Sequence, residues 1–250
     1  MRFCRFLYNQ NISYGLIDGD YVYAINPDPF AKWQKTGREF HLAKVKLLAP
    51  CEPTKVVAVG LNYVDHAGEL DMDIPTEPII FLKPAEAIIG PDDAIIYPET
   101  SQQVDFEAEI GVVIKKRASH VAEEDAAGFI LGYTCANDVT ARDLQRKDGQ
   151  WTRAKGFDTF APIGPWIDTD FDPSGVTVES ILNGEVQQSS STKNMIFDIP
   201  KLVSFITGIM TLNPGDVIMT GTPPGVGPMS RGDEIDVVVE GLATLKNKVV

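Results

Sequence analysis

The sequence predicts a mainly β protein of the α+β type, with a few short helices. Three observations point there. Apolar and polar residues alternate with the period of two that strands require, as in "RFCRFLY" and "VDFEAEIGVVI". The chain holds 21 glycines and 17 prolines, ample for many turns. Helical spacing is rare and short. Its best instance is "FDIPKLVSFITGIM", with apolar residues at 199, 202, 203, 206 and 209 and Asp198 placed to cap it.

Taken in order, residues 1–50 read as a small N-terminal β domain. "RFCRFLY" and "YGLIDGDYVYAI" alternate like a hairpin, with "DGD" as a turn. "LLAPCEPTK" carries two prolines and reads as a linker into a larger domain, residues 51–250. There "KVVAVGLNY" is a strand ending at Gly60, "PIIFLKP" another, and "AIIGPDDAII" a hairpin with "GPDD" at its tip. "VDFEAEIGVVI" reads as one strand running to Ile114. "AEEDAAGFIL" predicts a short helix, "GYTCAND" a strand and "VTARDLQRK" a helical turn or two. "PIGPWIDTD" and "VTVESILNGEVQQSSST" give more strands, the second with an "NG" hairpin signal. The rest, from Gly215, is strands and turns, and no repeat of 20 to 50 residues is visible.

Composition excludes several classes of function. A net charge of −13 argues against a nucleic-acid partner and against an anionic membrane surface. No apolar run approaches the ~18–20 residues that span a bilayer, and the N-terminus turns polar too soon for a signal peptide. The three cysteines, Cys4, Cys51 and Cys135, are odd in number and far apart. They form neither a disulfide framework nor a zinc knuckle, so a cytoplasmic location is expected.

The chemistry candidates start from Asp105, Glu107 and Glu109, which share one face of their strand with no lysine or arginine among them. Same-face neighbours on a strand lie only about 6.5–7 Å apart. Either water screens these carboxylates, or a hard cation such as Mg²⁺ sits among them with a few carboxylates and several waters. Asp138, at the end of an apolar strand, offers a third ligand or a simple turn residue. His66 and Glu69 are three apart, so on a helical turn they share a face. That is a surface pair or an imidazole oriented as a general base. Lys155 stands in a small, apolar stretch. "GTPPGVG" lacks the ending of a phosphate loop, yet its backbone N–H groups and Thr222 hydroxyl suit a carboxylate.

"GLNYVDHAGE", "PIIFLKP", "VDFEAEIGVVI", "GYTCANDVTARDLQ", "KGFDTFAPIGPW" and "LNPGDVIMTGTPPGVGP" occur in an order and spacing that resemble the fumarylacetoacetate hydrolase family over about residues 55–250. The first 50 residues resemble the short N-terminal region common in its bacterial members. Val64 stands where many members carry a polar or basic residue. The resemblance implies a mixed β-roll catalytic domain, usually in a homodimer. It implies Mg²⁺ or Mn²⁺ held by Glu107, Glu109 and Asp138, with Asp105 left beside the ligands or solvated. It places the catalytic His–Glu pair on His66 and Glu69, in a segment that often acts as a mobile lid. It further implies that Lys155 is catalytic and that Arg142, Gln145 and Thr222 meet the substrate. The implied activity works on small 2-oxo acids through a metal-stabilised enolate. Hydrolysis of the C–C bond of acylpyruvates comes first. Decarboxylation or tautomerisation of oxaloacetate and isomerisation or decarboxylation of 2-hydroxyhepta-2,4-diene-1,7-dioate are alternatives. A catalytically silent metal- and ligand-binding module would bind without turnover. A phosphoryl-transfer enzyme would need the phosphate loop that is missing.

Overall fold

The computed structural model describes residues 1–69 and 71–250. In chain order its strands are β1 Arg2–Tyr8, β2 Asn11–Asp18, β3 Tyr21–Asn26, β4 Gln34–His41, β5 Lys46–Leu48, β6 Val56–Gly60, β7 Ile79–Lys83, β8 Ile88–Ile89, β9 Ala94–Ile95 and β10 Val104–Phe106. There follow β11 Ala108–Ile114, β12 Ile130–Asn137, β13 Thr140–Ala141, β14 Ala161–Asp168, β15 Thr177–Leu182, β16 Glu185–Ser191, β17 Val217–Met219, β18 Gly227–Met229, β19 Glu234–Val239 and β20 Ala243–Val249. The α-helices are α1 Val64–Glu69, α2 Arg142–Asp148, α3 Thr152–Lys155 and α4 Ile199–Ile209. The fold is mainly β, as the alternation predicts.

A 12-stranded sheet runs in the order β4-β3-β2-β1-β14-β12-β11-β17-β6-β7, with β5 beside β1 and β8 beside β14. The N-terminal strands extend this sheet, because Arg2 and Phe3 of β1 face Asp168 and Ile167 of β14. The central strands are apolar on both faces. Val57, Val112, Val59, Ile114 and Ile218 pack under α4. Val56, Ala58, Val113, Val217 and Met219 face the opposite side. Helix α4 begins where expected, since the Asp198 carboxylate accepts the Lys201 N–H at 3.0 Å. Its Ile199, Leu202, Val203 and Ile206 are buried, whereas Ile209, its last residue, lies past the strands and is exposed.

Two expectations about local structure need correction. "VDFEAEIGVVI" is not one strand. β10 belongs to a three-stranded sheet, β13-β10-β18, and β11 to the large sheet, with Glu107 at the break. Alternation persists across the break while the hydrogen-bonding partner changes, so side-chain pattern alone does not reveal it. Nor do β8 and β9 form a hairpin: β8 pairs in parallel with β14, and β9 in parallel with β20 at the edge of a five-stranded sheet, β16-β15-β19-β20-β9. "GPDD" therefore turns the chain between two sheets.

Three short crossings join the large and the three-stranded sheets, besides the longer return from β13 to β14 through α2 and α3. β10 enters β11 at Glu107, β12 enters β13 at Asp138 and Val139, and β17 reaches β18 through residues 220–226. The first two crossings touch, with Asp138 N–H donating to the Glu107 carbonyl at 2.9 Å.

Candidate active site

The crossings bring the acids together. One oxygen from each of Glu107, Glu109 and Asp138 lies within 4.8 Å of the others, and all three side chains are buried. Three buried carboxylates leave hard oxygen donors and nothing soft, which suits Mg²⁺ or Mn²⁺. The donor set thus fits the expected dication. Asp105 is buried as well and is not solvated. It accepts from Arg142 Nε at 2.8 Å and from Gln103 Nε2 at 3.0 Å.

Three cations face these acids. Arg142, opening α2, donates through Nη2 to Glu107 Oε1 at 2.6 Å and through Nη1 to Gln145 Oε1 at 2.7 Å. Lys155, closing α3, does not snorkel to the surface. Its Nζ donates to Glu107 Oε2 at 2.9 Å and to Asp138 Oδ2 at 2.6 Å, with the Phe81 ring centroid 4.9 Å away. Lys83, ending β7, is fully buried and donates to Asp138 Oδ1 and to the Val139 carbonyl. With every group ionised, four acids against three cations leave one negative charge, and a dication would turn it into one positive charge. Such a surplus suits an anionic substrate.

The neighbours divide the protonation states. Burial opposes ionisation of Glu107, but Lys155 and Arg142 outweigh it and hold its carboxyl well below the usual range. Burial, together with the charges of Asp138 and Glu107, pushes Glu109 well above that range, although the Gly221 N–H supports it at 2.7 Å. Burial also presses the Lys83 ammonium towards neutrality, against the pull of Asp138. For Lys155 the attraction of Asp138 and Glu107 exceeds the cost of burial, and its proton is held more firmly than usual.

His66 and Glu69 do share a face of α1. Nδ1 lies 2.8 Å from Glu69 Oε2. A carboxylate only accepts, so Nδ1 carries a proton, and the lone pair of the neutral ring is at Nε2. The turn is tied down on several sides. Asp65 accepts from Ser190 Oγ and Asn194 Nδ2, and Asn62 bonds the Thr220 carbonyl and the Phe197 backbone. Gly225 N–H reaches Glu69 Oε1 at 3.1 Å.

The "GTPPGVG" loop thus holds two carboxylates by backbone N–H groups four residues apart, Glu109 from Gly221 and Glu69 from Gly225. Both glycines have positive φ, +95° and +94°, and a Cβ on Gly225 would lie 2.3 Å from the Gln187 carbonyl oxygen. Gln188 fixes the loop to β11. It accepts from Ala108 N at 2.9 Å and donates to Thr222 Oγ1 at 2.8 Å and to the Pro223 carbonyl at 2.7 Å.

A cavity of about 310 Å³ opens beside this cluster. His66, Glu107, Arg142, Gln145, Lys155 and Thr222 line it on the polar side. Sequence reasoning passed over Lys83 and Gln188. A lone lysine ending the apolar strand "PIIFLKP" carried the same signal as Lys155, whereas nothing in "EVQQSSS" distinguishes Gln188 from its neighbours.

Comparison with known proteins identifies the family. The family profile described as fumarylacetoacetate (FAA) hydrolase C-terminal matches residues 55–250, and one described as Rv2993c-like, N-terminal, matches residues 1–50. The bovine (Bos taurus) protein named oxaloacetate tautomerase FAHD2A, mitochondrial, is 46% identical over 83% of this chain and 70% of its own length. The crystal structure of 5-carboxymethyl-2-hydroxymuconate delta-isomerase from Mycobacterium smegmatis is 48% identical, with a TM-score of 0.95 over 100% of this chain and 99% of that one. The fumarylacetoacetate hydrolase of Exiguobacterium antarcticum is 36% identical, with a TM-score of 0.89 over 100% and 99%.

Proposed function

The chain belongs to the fumarylacetoacetate hydrolase family, and we propose that it is a Mg²⁺- or Mn²⁺-dependent enzyme that hydrolyses the C–C bond of acylpyruvate-type 2-oxo acids. One observation carries the reading: an imidazole held at Nδ1 by Glu69 lines the same cavity as Glu107, Arg142 and Lys155 of the carboxylate–cation cluster. Glu107, Glu109 and Asp138 would hold the dication. Bound there, it would supply Lewis acidity toward the substrate's carboxylate and keto oxygens. Arg142 and Lys155 bring the anionic 2-oxo acid in, while Gln145 and Thr222 orient it. His66, set by Glu69, takes a proton from water, and the hydroxide adds to the distal acyl carbonyl. The C–C bond then breaks, its electron pair leaves as the enolate of pyruvate, and a proton restores the keto acid. Met72, Ile79, Phe81 and Trp151 form an apolar wall of the cavity that limits further water.

A second reading is favoured by the relatives named tautomerase and isomerase, which are more similar to the chain than the named hydrolase. In it the same imidazole moves a proton on the enolising carbon and no water is consumed. A panel of acetylpyruvate, fumarylpyruvate, oxaloacetate and a hydroxymuconate with Mg²⁺ separates the two by loss of enol absorbance and by product analysis. Pyruvate plus a carboxylic acid supports hydrolysis, and an isomer alone overturns it. His66→Ala should lower turnover ~10²–10⁴-fold and leave oxalate binding intact.

The proposal includes a homodimer. Edge strand β7 exposes Leu82, apolar surface that a second copy would cover. It also keeps a cytoplasmic location, on the strength of three buried free cysteines. No helix among the described residues is long and apolar enough to cross a membrane.

A further inference from the structure

Arg142 and Arg146 are one turn apart on α2. Their side chains leave the same face, offset by about 6 Å along the axis. Their surroundings differ. Arg142 is committed to Asp105, Glu107 and Gln145. Arg146 lines the same cavity and is exposed, and its polar side-chain contact among the described residues is a long 3.4 Å bond to Gln103 Oε1. The acids of its own helix are taken. Asp143 accepts from Ser101 and Gln102, and Asp148 from both ends of Arg153. Arg146 is therefore a cation at the cavity wall with no acid paired to it among the described residues. Met72, Ile79, Phe81 and Trp151 also line the cavity and give it an apolar wall.

Resting on the 2-oxo acid reading above, we propose that Arg146 is a specificity residue, which selects dicarboxylic over monocarboxylic 2-oxo acids by pairing with the distal carboxylate. The 2-oxo end lies against Arg142, Lys155 and the acids, the carbon chain against the apolar wall, and the far carboxylate at the guanidinium one turn along α2. A monocarboxylic acylpyruvate would fill the inner end and leave Arg146 idle. Arg146 therefore sets specificity and takes no part in the bond-making steps.

The test uses two unreactive probes of equal length, 2-oxoadipate and 2-oxohexanoate, which differ in the distal carboxylate, with oxalate as a probe of the inner end alone. Affinities are measured by calorimetry on the whole protein with Mg²⁺ saturating. The wild-type protein should bind 2-oxoadipate at least about tenfold tighter than 2-oxohexanoate, the worth of one charge-assisted hydrogen-bonded pair. Arg146→Met should abolish that preference and leave oxalate affinity unchanged, while Arg146→Lys should keep part of it. Equal binding of the two oxo acids by the wild-type protein, or a preference that survives Arg146→Met, overturns the inference while oxalate binding upholds the 2-oxo acid site. Failure of all three probes to bind overturns both.

Discussion

Lys83 is held between the Asp138 carboxylate and the Val139 carbonyl with no exposed surface. Removing one member of a buried ion pair costs about 3–5 kcal/mol, because the other charge is left behind. Asp138 keeps its bond to Lys155, so Lys83→Met should destabilise the protein by less than that amount in urea titrations with chelator present. Added Mg²⁺ or Mn²⁺ should recover much of the loss by supplying Asp138 with another cation. An equal loss with and without metal would place the ion away from Asp138. Glu109 gives a test of sign. Its carboxyl is raised by burial and by its acidic neighbours, so it holds a proton that a dication must displace. Metal affinity should rise with pH through that titration, and calorimetry in buffers of different ionisation enthalpy should register proton release. Glu109→Gln should bind metal far more weakly and lose that release. At this scale much was legible, because titratable residues announce themselves by type and spacing. Asp105 shows the limit: alternation put it on a charged face, but only the fold reveals that Arg142 and Gln103 bury it.

Among the elements, the loop over residues 221–227 carries the sharpest expectation. Gly225→Ala would need a Cβ where the Gln187 carbonyl oxygen already sits, so the Gly225 N–H must withdraw from Glu69. The expected result is a loss in kcat with metal affinity little changed, since Glu109 is held from Gly221. A parallel fall in both would mean that the loop moves as one piece. Gln188→Leu strands the Ala108 N–H and the Pro223 carbonyl without partners. Each such group costs about 1–3 kcal/mol, and both metal affinity and turnover should fall. The strands and α4 were legible because period 2 and period 3.6 are local properties of the chain. The site was less so. "AIIGPDDAII" reads as a hairpin until β14 and β20 are known to claim its two arms, since partner choice between strands is a long-range matter that side-chain pattern does not encode.

For the whole molecule, the place of Glu107 and Asp138 at the crossings between two sheets has a mechanical side. The three-stranded sheet has its own packing, with Val104, Phe106 and Ala141 against Leu144 of α2 and Ala154 of α3. Arg142 and Lys155 thus sit on helices packed against that sheet. His66 sits on the turn that follows β6 of the large sheet. A cation bound by Glu107, Glu109 and Asp138 would act as a rivet through the seam between the two sheets. Mg²⁺ should then slow amide hydrogen exchange in β10, β13 and β18 more than in β2 and β3, which lie far along the sheet. Uniform slowing, or none, would show that the joint is already rigid. If the rivet holds, the distance from imidazole to anion-binding cations is set by how tightly two plates are fastened. Metal loading and the stiffness of the jaw that closes on the substrate would then be one property of the molecule.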